Sequence, residues 1–153
     1  MARRRIRRPK NQEETYKALT DKNEFGIFNS YKDIFMLAGI IGYLNNTRIS
    51  FEESLEGIAW SVFNLDTDET VINAIALGDT QNPSILMGDD ETFDQKIGIF
   101  EEYAAGGLQI VYDKIMEHKK FSAQNYFDFI MEMQNHKPDQ EREIDQIADM
   151  LSF

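Results

Sequence analysis

The sequence predicts a mainly α-helical protein. We expect a single compact domain of about six helices with at most a small β-hairpin, preceded by an extended basic N-terminal arm. Three observations carry this. Apolar residues recur every three or four positions along most of the chain. One such run (Phe93, Ile97, Phe100, Ala104, Gly107, Leu108, Val111, Ile115) keeps its phase throughout. And the first ten residues hold six cations (Arg3, Arg4, Arg5, Arg7, Arg8 and Lys10) with no acid among them.

The elements follow in order. Residues 1–10 read as a basic flexible arm, because Pro9 disfavours helix at Arg8. The helical domain then spans 11–153. A first helix starts at Asn11, with Glu14 as its capping-box partner, and runs to about Asp21. Asn23 to Asn29 loop around Gly26. Ser30 caps a helix from Tyr31 to Leu44 that is apolar on every side, as a buried central helix would be. Gly39 and Gly42 within it point to close packing against a neighbour.

Asn45 to Glu56 is turn-rich, and Arg48 to Phe51 could form a short strand. Gly57 to Phe63 fits strand or helix. Asp66 caps a helix with apolar Val71, Ile72, Ile75 and Ala76, ended by Gly78. Gln81 to Gly88 is a loop around Pro83. A long helix covers Thr92 to His118. Gly107 lies on its apolar stripe, so another helix should cross there at short range, a kink being the alternative. Ser122 caps the next helix, with Phe121 and Tyr126 as a hydrophobic staple and Ala123, Tyr126, Phe127, Ile130 and Met131 facing inward. Lys137-Pro138 breaks it. Ile144, Ile147, Ala148 and Leu151 mark a last helix.

Size and composition narrow the function. A chain of 153 residues, 42% apolar with 11 Phe, 6 Tyr and one Trp, can build a core without staples. With no cysteine, disulfides, thiolate metal sites and a cysteine nucleophile are excluded. No apolar stretch follows the arginines as in a signal peptide. The longest apolar run, Ile34 to Leu44, falls far short of the ~20 residues that span a bilayer. A cytoplasmic protein with no membrane partner is expected.

Charge is divided sharply. Beyond the arm, ten of the 16 Lys/Arg face all 27 Asp/Glu, so the body carries −17. A basic arm on an acidic body suits a polyanion or an acidic protein surface. Arginine forks grip phosphate oxygens two at a time, and six such contacts would give a salt slope of roughly −5. Ordering the arm and approaching DNA with an acidic body both oppose binding, so the contact should be weak.

Other candidates have plainer readings. Asp89, Asp90, Glu91 and Asp94 cluster where the long helix begins, where its dipole stabilises acids. A metal-dependent nuclease built from Asp89, Asp90, Asp94 or Glu101 would need carboxylates converging from different elements. Asp66-Thr67-Asp68 opens like a calcium loop but has Val71 and Leu77 where glycine and glutamate belong. His118 and His136 sit at helix C-terminal ends, suited to the dipole, in no metal-ligand pattern. Trp60 with Phe63 reads as core rather than a docking patch. No catalytic residue, metal or cofactor is expected.

Three pieces look familiar together: Arg5-Ile6-Arg7-Arg8-Pro9-Lys10, Ile72-Asn73-Ala74-Ile75-Ala76-Leu77, and Ile99-Phe100-Glu101-Glu102-Tyr103-Ala104-Ala105-Gly106-Gly107-Leu108. In this order the chain resembles the dnd system-associated, or DNA phosphorothioation-associated, protein 4 family. That family accompanies bacterial systems that replace a non-bridging phosphate oxygen of DNA with sulfur and use the mark in antiviral defence. The resemblance implies a non-enzymatic accessory protein beside the modification and restriction machinery, and brings no catalytic residues with it. Independently, direct sulfur transfer normally uses a cysteine persulfide, which this chain cannot form.

The expected function is therefore an adaptor whose arm (Arg3, Arg4, Arg5, Arg7, Arg8, Lys10) touches DNA weakly or an acidic partner in that machinery. The alternative is a helical homo-oligomeric interaction module without nucleic-acid contact. A further alternative, a DNA mimic using the acidic body, sits awkwardly with the basic arm. Glu101, Glu102, Tyr103, Gly106 and Gly107 are expected to serve packing rather than a site.

Overall fold

The structure, a computed structural model, describes residues 4–55 and 57–135. Among these the chain is mainly α, with five helices: α1 (Glu13–Thr20), α2 (Tyr31–Leu44), α3 (Asp68–Thr80), α4 (Asp90–Met116) and α5 (Ser122–Asn135). Short 3-10 turns precede α1, α4 and α5 and occupy Trp60–Val62. The helix expected around Ile144 to Leu151 lies outside the described residues, as does His136. No described helix is long and apolar enough to cross a membrane.

The centre is the crossing of α2 and α4, and it rests on glycine. A Cβ on Gly107 would collide with the Ala38 carbonyl and come within 2.6 Å of the Gly42 nitrogen. A Cβ on Gly42 would strike the Tyr103 carbonyl, and one on Gly39 the Phe100 ring. The close crossing expected from the sequence is thus present, and α4 runs unbroken through it. Phe35, Ile34, Ile41, Phe100, Ala104 and Leu108 bury around the crossing. The helix α1 covers α2, α3 covers both central helices, and α5 packs on the C-terminal part of α4.

Caps explain several boundaries. Ser30 accepts from the Asp33 N–H at 3.2 Å, and Asp89 from the Thr92 N–H at 2.8 Å. Asn46 takes the left-handed conformation that closes α2, with φ 53°.

Other elements differ from expectation. A 3-10 turn (Lys10–Gln12) leads into α1 without a side-chain cap, because the Gln12 amide reaches across to the Ala105 carbonyl at 2.8 Å. Gly78 does not end α3. The helix runs one more half-turn to a left-handed Gln81 (φ 54°), which carries Asp79 to Arg48 and Tyr103. Residues 48–51 form no strand. The backbone there bonds to helices instead, with the Ile49 N–H on the Glu102 carbonyl at 3.1 Å.

Ser122 is already helical (φ −55°, ψ −42°), because the preceding turn runs straight into α5. Nor does α5 face as expected. Phe129 is buried, and Tyr126 packs on Phe28 with ring centroids 5.4 Å apart. Phe127 and Phe121 are 60% and 62% exposed, and Met131 is 41% exposed. Phe121 is thus largely in solvent rather than buried as a staple. The α5 sequence offers two apolar stripes, and the Asn125 amide bound to the Ile115 carbonyl (2.9 Å) helps select the other one.

Trp60 stacks on Phe63 and meets Phe93 edge-on, both at 5.1 Å, so this pair belongs to the packing.

Candidate interface at the basic N-terminal segment

Residues 4–9 are extended, as Pro9 and the β-branched Ile6 favour. Extended chain alternates its side chains, and here the alternation sorts the cations. Arg4, Ile6 and Arg8 turn toward the body, while Arg5 and Arg7 turn out. The segment is docked. Ile6 is fully buried, and its N–H and carbonyl both pair with Ile58 at 2.8 Å in an isolated antiparallel bridge. The Leu55 N–H donates to the Arg8 carbonyl at 2.8 Å, and the Lys10 N–H to the Glu53 carbonyl at 3.0 Å. This pairing with residues 53–58 is the nearest the described chain comes to a hairpin.

Glu101 of α4 anchors the segment. Its side chain is 0% exposed. The Arg4 guanidinium grips it with two parallel bonds, of 2.9 and 3.0 Å, and the Arg7 backbone N–H adds a third at 2.5 Å. The Arg7 guanidinium lies 3.4 Å from the same carboxylate. Asp94, about two turns before Glu101 on α4, supports Arg4 at 3.4 Å. These carboxylates, Glu101 foremost, hold the Arg4 guanidinium more firmly charged than usual against the opposing effect of burial.

Arg8 has a different seat. Its guanidinium lies 4.5 Å from the Tyr16 ring centre and 4.7 Å from that of Tyr31. Burial makes it easier to deprotonate than a free arginine, partly offset by the two tyrosines and Glu13. The same burial pushes the Tyr16 phenol up.

The expected site residues are therefore divided. Arg4 and Arg8 are turned inward. Arg5, Arg7 and Lys10 reach solvent. Arg5 is fixed by its Nε on the Gly57 carbonyl at 2.8 Å, and Arg7 lies over the Phe51 ring at 5.2 Å. Arg3 lies outside the described residues. Sequence reasoning missed Glu101 as the anchor and Tyr16 with Tyr31 as a cation seat. One signal was there to read: a lone isoleucine amid arginines in an extended stretch, with Arg4 and Arg8 two positions to either side.

Neighbouring contacts show what the run from Phe100 to Gly107 does. Phe100 fills the space over Gly39. Glu101 takes the N-terminal segment. Glu102 binds Arg48 at 2.7 Å, and Tyr103 donates to Asp79, which also holds Arg48 through both oxygens at 3.0 Å. The Ala105 carbonyl receives Gln12, and Gly106 lies beneath the Thr47 carbonyl. Between them these positions meet α2, the N-terminal segment, the turn at Thr47 and Arg48, and α3.

The acids at the start of α4 have structural work: Asp89 caps it and Asp94 meets Arg4. The His118 carbonyl accepts from Asn125 at 3.1 Å. Among the described residues, no group of three or more His, Cys, Asp or Glu could hold a metal ion.

A family model described as DNA sulphur modification system-associated protein 4 matches residues 5–149. No curated protein and no solved structure gives a significant match.

Proposed function

The chain belongs to the DNA sulphur modification system-associated protein 4 family, and we propose that it serves that system as a non-enzymatic, cytoplasmic adaptor. Helical surfaces of the body hold partner proteins of the modification or restriction machinery, and the outward cations of the docked segment touch DNA or an acidic partner. The observation that carries this reading is the fixed outward display of Arg5, Arg7 and Lys10 on a segment whose alternate residues are rooted in the body.

Docking removes part of the ordering cost that would weaken a free arm. It also reduces the cations available. Three phosphate contacts give a salt slope near −3, at roughly −0.9 per contact, rather than the −5 of six. Removing residues 1–10 would take Ile6 and Arg8 out of the core, so a deletion would confound binding with folding.

The test is fluorescence anisotropy of duplex DNA, plain and phosphorothioated, at two salt concentrations. It compares the native chain with Arg7→Ser/Lys10→Ser. Salt-sensitive binding that the double variant loses supports DNA contact, and a preference for the sulfur-marked duplex ties the contact to the mark. Binding unchanged by the substitutions would refute contact through this segment.

A second reading, a homo-oligomeric interaction module, draws on the exposed Phe121, Phe127 and Met131 of α5 and the turn before it. Light scattering decides it: a concentration-dependent dimer abolished by Phe127→Asp supports the module, and a monomer in both chains removes it.

A further inference from the structure

A cleft of about 670 Å³ opens beside the docked segment, between the Ile6–Ile58 bridge and the start of α2. Arg5, Arg8 and Lys32 line it, together with Ser30, Tyr31 and Val62. Among the described residues that line it there is no carboxylate. In a chain of net charge −11, three cations lining one cavity are a local reversal of charge.

Acids act on two of these cations: Glu13 on Arg8, and two carboxylates on Lys32. Asp68 of α3 binds the Lys32 ammonium at 2.9 Å, and Asp33 lies 3.4 Å from it. They orient the ammonium and offset part of its charge. Arg5 is fixed by the Gly57 carbonyl, and the Arg8 guanidinium lies against the Tyr16 and Tyr31 rings. The cations come from two elements, Arg5 and Arg8 from the docked segment and Lys32 from α2. The positive end of α2 adds to the field.

We infer that this cleft binds a phosphate ester of nucleotide size, its anionic group held by Arg5, Arg8 and Lys32 and its planar part against Tyr31 and Val62. Sites for small molecules occupy roughly 300–1,000 Å³, which brackets the cleft. Arginine donates to phosphate oxygens in pairs, and a tyrosine face accepts a base. The group can come from a free nucleotide or from the phosphorylated end of a strand. This inference does not rest on the outward contacts of Arg7 and Lys10, which do not line the cleft.

Calorimetry on the full chain tests it with inorganic phosphate, deoxyadenosine monophosphate, and a DNA hexamer with and without a 5′ phosphate. The monophosphate should bind more tightly than phosphate alone, and salt should weaken both. Lys32→Gln should weaken the monophosphate about tenfold. Because Lys32 also holds Asp68, a second variant, Val62→Glu, places an anion at the exposed rim without touching the core. It should weaken binding at least about tenfold as well.

A hexamer that binds better only with its 5′ phosphate identifies a strand end; equal affinity for the monophosphate identifies the free nucleotide. Either outcome supports the cleft. No heat with any probe, or affinity unchanged in Val62→Glu, overturns it. Loss of duplex binding in Arg7→Ser/Lys10→Ser with monophosphate binding intact would separate the two sites.

Discussion

Two regions of α4, barely two turns apart, hold the molecule by opposite means. At Gly106 and Gly107 the helix meets α2 and the Thr47 turn backbone to backbone, with no room for a methyl group. At Glu101 it meets the N-terminal segment through a buried carboxylate and three strong donors. The first contact depends on the smallness of side chains and is indifferent to charge. The second depends on charge and on complete pairing. One helix therefore carries both a backbone-to-backbone steric contact and a buried electrostatic one.

The contrast can be broken in stages. The largest effect should come from Glu101→Ala. Removing one partner of a buried ion pair costs about 3–5 kcal/mol, because the cations it held lose their compensation. Urea denaturation would show it, and a loss under about 1 kcal/mol would mean that the segment is not rooted there.

Gly107→Ala comes next. Overpacking costs about 1–3 kcal/mol, and here the obstacle is backbone on both sides. An unchanged midpoint would mean that the helices cross more loosely than described. Gly98→Ala sharpens the comparison from the other side. A Cβ there meets nothing within 4 Å, so the better helix former should stabilise by about 0.5–1 kcal/mol. The same substitution on the same helix should thus change sign within nine residues.

The smallest effect at neutral pH is one that grows with alkalinity. Burial raises the Tyr16 phenol above its ordinary 10.0, burial and then Asp33 raise Tyr126, and the bond to Asp68 raises Lys32. All three groups keep their protons longer folded than unfolded. Their stabilisation is complete below about pH 10 and is lost as pH climbs through the folded values. Unfolding free energy should be level from neutral to about pH 10 and then fall, less steeply in Tyr16→Phe. A native profile still level at about pH 11 would contradict the burial of Tyr16.

Much of the fold was legible, and for identifiable reasons. Ser30 and the all-round apolar run placed α2, while the unbroken phase from Phe93 to Ile115 placed α4. Glycine on an apolar stripe announced a close crossing because its lack of a side chain is useful at such a spot. The candidate site was legible by composition only. Six cations in ten residues marked an unusual segment, yet charge alone does not say which side chains turn inward. That depended on Glu101, some 94 residues from Arg7, and on two tyrosines from separate elements. The two apolar stripes of α5 posed the same difficulty: periodicity offered both, and Phe28 and Ile115 favoured one.

By itself the sequence determined the helical class, most helix positions, the close approach at glycine, and the opposition of a basic start to an acidic body. These rest on local backbone preference and spacing, which are properties of neighbouring residues. Only the tertiary structure decided that the basic segment docks, that Arg4 and Arg8 turn inward while Arg5, Arg7 and Lys10 face out, and that Arg5, Arg8 and Lys32 share a cleft. Those outcomes depend on pairing a charge with a carboxylate or an aromatic face brought from a distant part of the chain, and burial of a charge is tolerable only where that partner arrives.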